Sequence, residues 1–549
     1  MRFARFPTLF ISIPILLSGG PLIFPRSVVS SASYLSPASP GGGIAQGSIF
    51  SIFGSGLGPA NYATASAFPL STTLGGSSVK VFNATTSVSA YPLFAWATQL
   101  NVVMPSNAPL GRVSVQVTYN GVASNPVPIT VVASSFGIFA MNSAGNGPGA
   151  VTNGNWPINS LTVPATPGQT EVLWGTGLGP INAPDNTQPP AGTLPTPVEV
   201  FVGGISATIA YSGRAPYSGE DEIVFTVPAN APLGCYVPVM VRTNGTTVSN
   251  SVSIAITKDG SSCVGTLPPV AQTFVNGGKA GVVTMMSWTE HADIEVAPLD
   301  VGLDFAAATF YNATANPFFY QPLLSPPAAG TCLTYAASSD LTDFMQNSPL
   351  IVMPGTALDA GATGTISGTG GSLPLNYWLG SKSLGNMLGF NMPNIQPGPY
   401  FASGNYTLST AGGADVGAAS VTLPYVAPVN WTNRDAASVV TVNRSNPLTL
   451  NWTGTAASAQ VYIFGGNVDI PTNSTGAFLC AAPPGASSFA VPVPVLQTIP
   501  PARLRSSQQN GSIFIAVTPT AAGTPFSAQG LGAGGAFFLS LSGRTVMFQ

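Results

Sequence analysis

The side chains best suited to acid–base chemistry lie close together in one stretch. Ser287, Glu290, His291 and Asp293 fall within a few residues of each other, and His291 is the single histidine of the chain. A serine hydrolase needs a serine, a histidine and an acid in contact, usually from distant parts of the sequence. No Gly-x-Ser-x-Gly turn accompanies this stretch. We therefore expect His291 to lie on the surface or in a loop beside solvated carboxylates, and we predict no catalytic residue.

Acidic residues form a second group that could do chemistry. Glu220, Asp221 and Glu222 could supply oxygen ligands to Ca²⁺. Adjacent residues on a strand point to opposite faces, so the three carboxylates cannot converge locally. We expect a solvated acidic loop, and we predict neither a metal site nor a cofactor.

The four cysteines are spaced for disulfides rather than for metal binding. A secreted chain with four cysteines is expected to form two disulfides, and three pairings are possible. We favour Cys235–Cys263, because both cysteines flank the last predicted strands of the segment 134–258. The second disulfide would then be Cys332–Cys480. Zinc is the rival explanation, but no Cys-x-x-Cys spacing supports it.

Aromatic residues could bind sugars. Tryptophan rings at Trp96, Trp156, Trp378 and Trp431 could stack on sugar rings if they are exposed. Burial in a core is the common alternative for tryptophan.

Composition restricts the class of protein. The chain has 549 residues, of which 45% are hydrophobic and only 6% charged, and its net charge is −3. Binding of nucleic acid needs a concentrated positive face, which this sequence lacks. Short alternating apolar runs separated by Gly and Pro predict an all-β fold of several domains.

Two copies of one pattern organise the first half of the chain. The segment 47–59 ends in Gly-Ser-Gly-Leu-Gly-Pro, and the segment 168–180 ends in Gly-Thr-Gly-Leu-Gly-Pro. A second phrase, Pro-x-Asn-Ala-Pro-Leu-Gly, follows each copy at 105–111 and 228–234. Two phrases that recur in the same order at nearly the same offset indicate a tandem repeat.

Each repeat holds about seven short strands, which predicts tandem immunoglobulin-like β-sandwiches. Alternation is clearest at Val113, Val115 and Val117, which should share one face of a strand. Further strands are predicted at 439–442, 448–452, 460–464, 489–493 and 512–517, so the chain should end in another sandwich-like unit.

The repeat motif resembles the IPT/TIG class of immunoglobulin-like domains. The tandem arrangement is similar to a family of secreted acidobacterial proteins of uncharacterised function, whose Gln-hydrophobic-Asn-Val-x-x-Pro element matches Gln99 to Pro105. In the second repeat the corresponding residues, Glu220 to Pro228, lack the Gln and Asn. The resemblance covers about residues 30–265 and implies the fold and an extracellular location.

These features predict six segments. They are a signal peptide (1–32, cleaved after Gly20 or near Ala32, or retained as an anchor), sandwich one (33–133), sandwich two (134–258), a linker (259–275), a β-rich domain (276–430) and a C-terminal sandwich-like domain (431–549). No later stretch predicts a transmembrane helix.

We therefore expect a secreted or cell-envelope, non-catalytic protein that mediates extracellular binding or adhesion to a polysaccharide, a cell surface or a protein partner. A structural spacer of the cell envelope is the alternative, and an enzyme with its site in 270–549 is the third hypothesis.

Overall fold

The computed structural model of the protein describes residues 20–154, 156–293, 298–337, 353–378, 382–390, 398–469, 472, 474–502 and 511–549. Within these ranges the protein is all-β, which confirms the predicted fold class. Its strands form hydrogen-bonded sheets of 11, 10, 15 and 3 strands. No helix in this part of the chain is long and apolar enough to cross a membrane.

The first repeat folds around a core of alternating aliphatic residues. Val113, Val115 and Val117 are all buried, as their spacing predicts. The main path of paired strands is β1-β3-β8-β7-β6-β9-β11-β2. The strands are β1 (Leu22–Ser30), β2 (Ile44–Ala45), β3 (Ile49–Ser55), β4 (Ala63–Thr64), β5 (Thr73–Leu74), β6 (Ser77–Phe82), β7 (Ser87–Ala95), β8 (Gln99–Val103), β9 (Gly111–Tyr119), β10 (Val122–Ala123) and β11 (Val127–Val132).

Strand β1 lies inside the segment predicted as a signal peptide. It pairs antiparallel with β3, and its residues Ile23 and Val28 are fully buried. Residues 22–30 therefore belong to the first sandwich in this structure, upstream of the expected start at residue 33. Residues 1–19 of the predicted signal peptide lie outside the described residues.

The second repeat has the same plan, with the path β12-β14-β18-β17-β16-β19-β20. Its core again combines residues from both layers, such as Leu173, Phe225 and Val239. The strands are β12 (Gly137–Ile138), β13 (Val151–Asn153), β14 (Thr170–Thr176), β15 (Gly192–Thr193), β16 (Val198–Val202), β17 (Ile205–Arg214), β18 (Asp221–Thr226), β19 (Gly234–Thr243), β20 (Thr247–Val248) and β21 (Val252–Ile256).

The glycines of the repeat motif allow close approach of a neighbouring strand. A Cβ on Gly54 would lie 2.1 Å from the carbonyl oxygen of Leu22, and one on Gly175 would lie 2.3 Å from that of Gly137. Gly56 and Gly177 have φ angles of 62° and 109°, which residues with a side chain rarely adopt. The backbone conformation and the close strand therefore require glycine at these positions. The same requirement in both repeats explains why the motif occurs twice.

A buried ion pair in the second repeat also contacts the first repeat. The Arg214 and Asp221 side chains are 2% and 0% exposed, and Arg214 Nη1 lies 3.1 Å from Asp221 Oδ1. Arg214 also donates to the carbonyls of Gly47 in the first repeat and Gly179 in the second, at 2.8 and 2.6 Å. The backbone N–H groups of Gly177 and Leu178 donate to Asp221 Oδ2. The expectation of a solvated acidic loop is therefore wrong for Asp221, because this carboxylate holds the motif turn and the arginine that links the repeats.

The rest of the chain is built on one long sheet, with the path β24-β35-β34-β37-β39-β22-β23-β28-β27-β26-β29-β30. The strands are β22 (Gly278–Asp293), β23 (Pro298–Ala313), β24 (Thr331–Ala337), β25 (Thr356–Ala357), β26 (Thr363–Gly368), β27 (Gly371–Tyr377), β28 (Leu384–Phe390), β29 (Asn405–Thr410), β30 (Ala419–Pro424), β31 (Asn430–Trp431), β32 (Thr441–Val442), β33 (Leu448–Thr453), β34 (Gln460–Asp469), β35 (Ser474–Ala481), β36 (Ser488–Val491), β37 (Gly511–Thr518), β38 (Thr524–Phe526) and β39 (Ala533–Phe548).

Strand β22 connects the two predicted C-terminal segments, because it pairs antiparallel with β23 and parallel with β39. Strands from 276–430 and 431–549 therefore share one sheet, and a boundary near residue 430 stays a prediction. In the described residues of this unit, three helices pack on the sheet: α1 (Pro269–Asn276), α2 (Ala437–Val440) and α3 (Val493–Gln497). The predicted strand 439–442 is wrong in its first half, since Val439 and Val440 lie in α2.

The two faces of the long sheet differ. One face packs against the small sheet β31-β33-β36 and forms a core that includes Ile463, Ile515 and Trp452. Part of the opposite face is covered by α1, whose Val270 and Phe274 are buried against β22 and β39. The rest of that opposite face is where the candidate site lies.

Candidate functional site

The histidine lies in a cluster of ion pairs at the end of β22. His291 Nδ1 is 2.7 Å from Asp300 Oδ1, and its Nε2 is 3.7 Å from Asp293 Oδ1. Arg544, whose side chain is almost fully buried, contacts both Asp293 and Asp435. Asp300 is mostly exposed, whereas the histidine is largely covered. The sequence analysis did not identify Arg544, because it lies about 250 residues away and reaches β22 only through the parallel pairing of β39.

The structure does not bring Ser287 to the histidine. The two residues are four apart on β22, which corresponds to about 13 Å along a strand. Ser287 instead lies opposite Asp304 on the paired strand β23. The buried Asp304 carboxylate accepts hydrogen bonds from the backbone N–H groups of Tyr400 and Phe401. These side chains hold the fold together, and they do not form the constellation of a serine hydrolase.

The cysteines lie in two pairs at disulfide distance, Cys235 with Cys263 and Cys332 with Cys480. Within the described residues, no group of three or more His, Cys, Asp or Glu side chains is placed to hold a metal ion.

The tryptophans fall into different environments. Trp431 is buried in the core of the C-terminal unit, and Trp378 packs edge-on against Phe305 at 5.4 Å. Trp96 and Trp156 are 41% and 75% exposed. Trp96 and Trp156 are therefore the most exposed of these four rings.

The uncovered face of the long sheet forms a trench that runs across the strands. Its floor is made of small residues that are paired in register on adjacent strands: Ala477 on β35, Gly466 on β34 and Ser512 on β37. Tyr335 on β24 continues this row at one end. Since paired strands are about 4.8 Å apart, the floor is about 14 Å long from Tyr335 to Ser512. The cavity has a volume of about 340 Å³.

Aromatic rings form one wall of the trench. Phe464 and Phe514 are directly paired neighbours on β34 and β37, and both are half-buried. The ring of Trp288 on β22 lies beyond Phe514, outside the residues that line the cavity, with its centroid 6.1 Å from that of Phe514. Between them β39 carries Gly543, where an added Cβ would lie 2.2 Å from ring atoms of Phe514. The missing side chain therefore lets the Phe514 ring lie across β39.

Polar groups lie at the ends and opposite the aromatic wall. Glu290, paired with Gly543, is partly buried and interacts with Ser512, and burial raises the pKa of its carboxyl above the usual range. Its Oε1 atom is buried without a hydrogen-bond partner in the structure. The Thr475 hydroxyl on β35 is also buried without a partner. Both oxygens are covered by neighbouring atoms, so Ser512 is a polar group that the floor itself offers to a ligand.

A second cavity adjoins the trench beside Phe464 and Leu479, which line both. It has a volume of about 150 Å³ and is closed by Pro322, Leu323 and Pro326. The two cavities together form an apolar cleft with few polar groups, which is the usual composition of a ligand site. The sequence analysis missed this cleft, because none of its residues forms a local motif.

No protein-family model matches the chain, and no curated protein matches its sequence. Among solved structures, the chain is similar to SGBP-B of the Bacteroides ovatus mixed-linkage glucan utilization locus, solved in complex with a mixed-linkage heptasaccharide, at 10% identity over 89% of this chain and 97% of that chain, with a TM-score of 0.14. It is also similar to domains 5 and 6 of the S-layer protein SbsC, at 14% identity over 44% of this chain and 100% of that chain, with a TM-score of 0.16.

An I-band fragment of titin is similar at 8% identity over 71% of this chain and 96% of that chain, with a TM-score of 0.11. These neighbours are β-rich proteins, and two of the three are bacterial surface proteins. Likenesses this low carry no argument about ligand or partner.

Proposed function

We propose that the protein is a secreted, non-catalytic binding protein that holds a neutral polysaccharide chain in the aromatic trench of its long sheet. The trench is the single observation that carries the proposal. Phe464 and Phe514 line the trench and Trp288 lies beside Phe514, and the apolar faces of sugar rings stack on aromatic rings of this kind. The Ser512 hydroxyl on the floor can exchange hydrogen bonds with a sugar hydroxyl.

The shape of the trench favours a chain rather than a compact molecule. The floor crosses three strands without a large side chain, since Gly466, Ala477 and Ser512 are all small. The chain's low charge favours an uncharged ligand, because an acidic polymer would need basic residues to neutralise it. An extracellular location is supported by the apolar segment near residues 10–17 and by the two cysteine pairs.

A structural spacer is the second candidate, and the buried contact between the repeats favours it. Arg214 bonds to both repeats at once, so the two sandwiches are held in one orientation. A rigid pair of domains suits a spacer, and it also suits a stalk that presents the trench away from a surface.

Retention on insoluble polysaccharides tests the proposal. The full mature chain is incubated with cellulose, chitin, xylan and mixed-linkage glucan, and the bound fraction is measured. We expect retention on at least one polymer, and a loss of about tenfold in affinity in Phe514→Ala, which is about 1.4 kcal/mol. Tyr217→Ala is the control, because Tyr217 is 65% exposed in the second repeat, away from the trench.

Ala477→Leu supplies a second variant that adds atoms to the floor instead of removing a ring. It should block the trench without removing any aromatic contact. Wild-type protein that binds none of the polymers, or variants that bind as well as the wild type, would contradict the proposal. Self-association without polymer binding would favour the spacer.

A further inference from the structure

A second group of exposed aromatic rings lies on the first sandwich, outside the trench. The short edge strand β4 forms a ribbon with the end of β7, whose other edge pairs with β8, and in this ribbon Ala63 pairs with Ala95 and Thr64 with Phe94. Ala95 is buried, so its neighbours Phe94 and Trp96 point to the opposite, outer side of the ribbon. Tyr62, next to Ala63, lies on that same side.

We call these three aromatic residues the outer platform (Tyr62, Phe94 and Trp96). Tyr62 stacks on Phe94 with a centroid distance of 5.7 Å and an interplanar angle of 25°. Tyr62 is 68% exposed and Trp96 is 41% exposed. Trp96 Nε1 donates to the carbonyl of Ala60 at 2.9 Å, which fixes the indole ring in place. The rings are therefore oriented before any ligand arrives.

The second repeat uses different side chains at the equivalent ribbon. In the second repeat the equivalent ribbon is formed by β15 and β17, where Gly192 pairs with Arg214 and Thr193 with Gly213. Gly213 thus stands where the first repeat has Phe94, and the buried Arg214 stands where it has Ala95. Tyr211 lies beside Gly213 and donates to the Gly192 carbonyl at 2.9 Å, so the second repeat has a half-buried aromatic side chain bonded to this ribbon, whereas Tyr62 of the first repeat is 68% exposed.

The exposed area of the outer platform indicates which kind of ligand it can bind. A fully buried aromatic side chain covers about 150–250 Å², and these rings are only partly exposed, so together they offer on the order of 300 Å². A stable protein interface buries about 800 Å² on each partner. The surface is therefore too small for a second copy of the chain and suits one or two sugar rings.

We propose that the outer platform is a second contact for the same neutral polysaccharide, which makes the protein bivalent along one polymer. This inference rests on the proposed function of the trench for the identity of the ligand. Two linked contacts raise retention on a long polymer well above that of either contact alone, whereas a short oligosaccharide reports each site separately.

The test uses the full chain in three forms: wild type, Tyr62→Ala/Trp96→Ala, and Phe514→Ala. Retention is measured on the insoluble polymer that binds the wild type best, and binding of a soluble hexasaccharide of that polymer is measured by calorimetry. We expect the platform variant to lose at least tenfold in retention while its trench still binds the hexasaccharide. Tyr62→Ala alone, which removes no hydrogen bond seen in the structure, should show an intermediate loss, and Tyr217→Ala should show none.

The outcomes separate the two proposals. If only Phe514→Ala loses retention, the outer platform is not a contact and the trench proposal stands. If only the platform variants lose retention, the trench proposal is overturned and the platform remains as the binding site. If the wild type is retained on no polymer, both proposals are overturned.

Discussion

The ring of Phe514 occupies the space above Gly543, where an added Cβ would come within 2.2 Å of two ring atoms. Gly543 on β39 pairs with Phe514 on β37. The absence of a side chain at Gly543 therefore sets the position of the Phe514 ring in the aromatic wall of the trench. Since the clash involves the ring and not the backbone, a side chain at this position should move the ring and leave the sheet in place.

Gly543→Ala should therefore weaken polysaccharide binding about as much as Phe514→Ala does, while thermal unfolding changes by only a few degrees. Retention on the polymer and the melting temperature are measured together. Gly265→Ala is the matched control, because its Cβ would meet no atom within 4 Å. A Gly543→Ala protein with full retention would show that the position of the Phe514 ring is irrelevant to binding.

The ion pair between Arg214 and Asp221 should be essential for the stability of the repeats. Arg214→Met leaves a buried carboxylate without its counter-ion, which typically costs about 3–5 kcal/mol in the free energy of unfolding. Arg214→Met/Asp221→Asn should recover part of this loss, because the buried charge is then absent. Denaturant unfolding of each variant measures the effect.

The exposed pair Arg242–Glu199 provides the comparison for that experiment. Its atoms lie 2.6 Å apart, but its side chains are 22% and 43% exposed. Arg242→Met should cost no more than about 1 kcal/mol, since water screens exposed pairs. Equal losses in Arg214→Met and Arg242→Met would contradict the role given to the buried pair.

Glu171 should make the second sandwich less stable as pH rises. Its side chain is fully buried on the core side of β14, neither carboxyl oxygen has a hydrogen-bond partner in the structure, and burial raises its pKa to about 8. Between about pH 4.5 and 8 the unfolded chain carries the ionised acid while the folded protein keeps it protonated. The free energy of unfolding therefore falls as pH rises through this window, by up to about 1.4 kcal/mol per pH unit.

Glu171→Gln removes this dependence and should be more stable than the wild type at pH 8, with little difference at pH 4. Glu220 contributes in the same direction, because burial and the neighbouring acids raise its pKa to about 7. Glu220→Gln is thus the comparison that separates the two carboxyls. Urea unfolding at several pH values measures the slopes, and an unchanged slope in Glu171→Gln would refute the assignment.

The cysteine pairs should both form covalent bonds in secreted protein. Peptide mapping without reduction should recover Cys235 linked to Cys263 and Cys332 linked to Cys480. In the chain-entropy model, loss of the second bond should destabilise more, by about 5 kcal/mol against about 3–4, because it closes 148 residues rather than 28. Other linkages, or free thiols in the secreted protein, would contradict this pairing.

The mature N-terminus should lie close to Gly20. Cleavage near Ala32 would remove β1, together with the fully buried Ile23 and Val28. Intact mass measurement of the secreted protein distinguishes the two sites. A mature chain that starts near Ala32 and remains folded would show that β1 is dispensable.

The sequence predicts the fold of the repeats well, because the patterns that specify their strands and turns lie within a few consecutive residues. Alternation along 112–119 and the glycine motif at 54–58 each specify structure within a few residues. The face of β9 that is buried and the turn after β3 both follow from such patterns. The strand at 439–442 was predicted wrongly in part, because the same apolar residues also fit the first turn of a short helix against the core.

The trench could not be predicted, because it depends on long-range register. Ala477, Gly466 and Ser512 become neighbours only when β35, β34 and β37 pair, and Glu290 joins them through the parallel pairing of β22 with β39. Asp221 shows the same limit. Three adjacent acids predicted a solvated loop, but Arg214, seven residues earlier, pairs with Asp221 across a hairpin. The Asp221 carboxylate is therefore buried beside the arginine.

Retention of the wild-type chain and of Phe514→Ala on insoluble neutral polysaccharides tests the central claim most directly. The account predicts that the wild type is retained on at least one polymer and that the variant loses about tenfold in affinity while keeping its melting temperature. Equal retention of the two proteins, or no retention of either, would show that the aromatic trench is not a polysaccharide site.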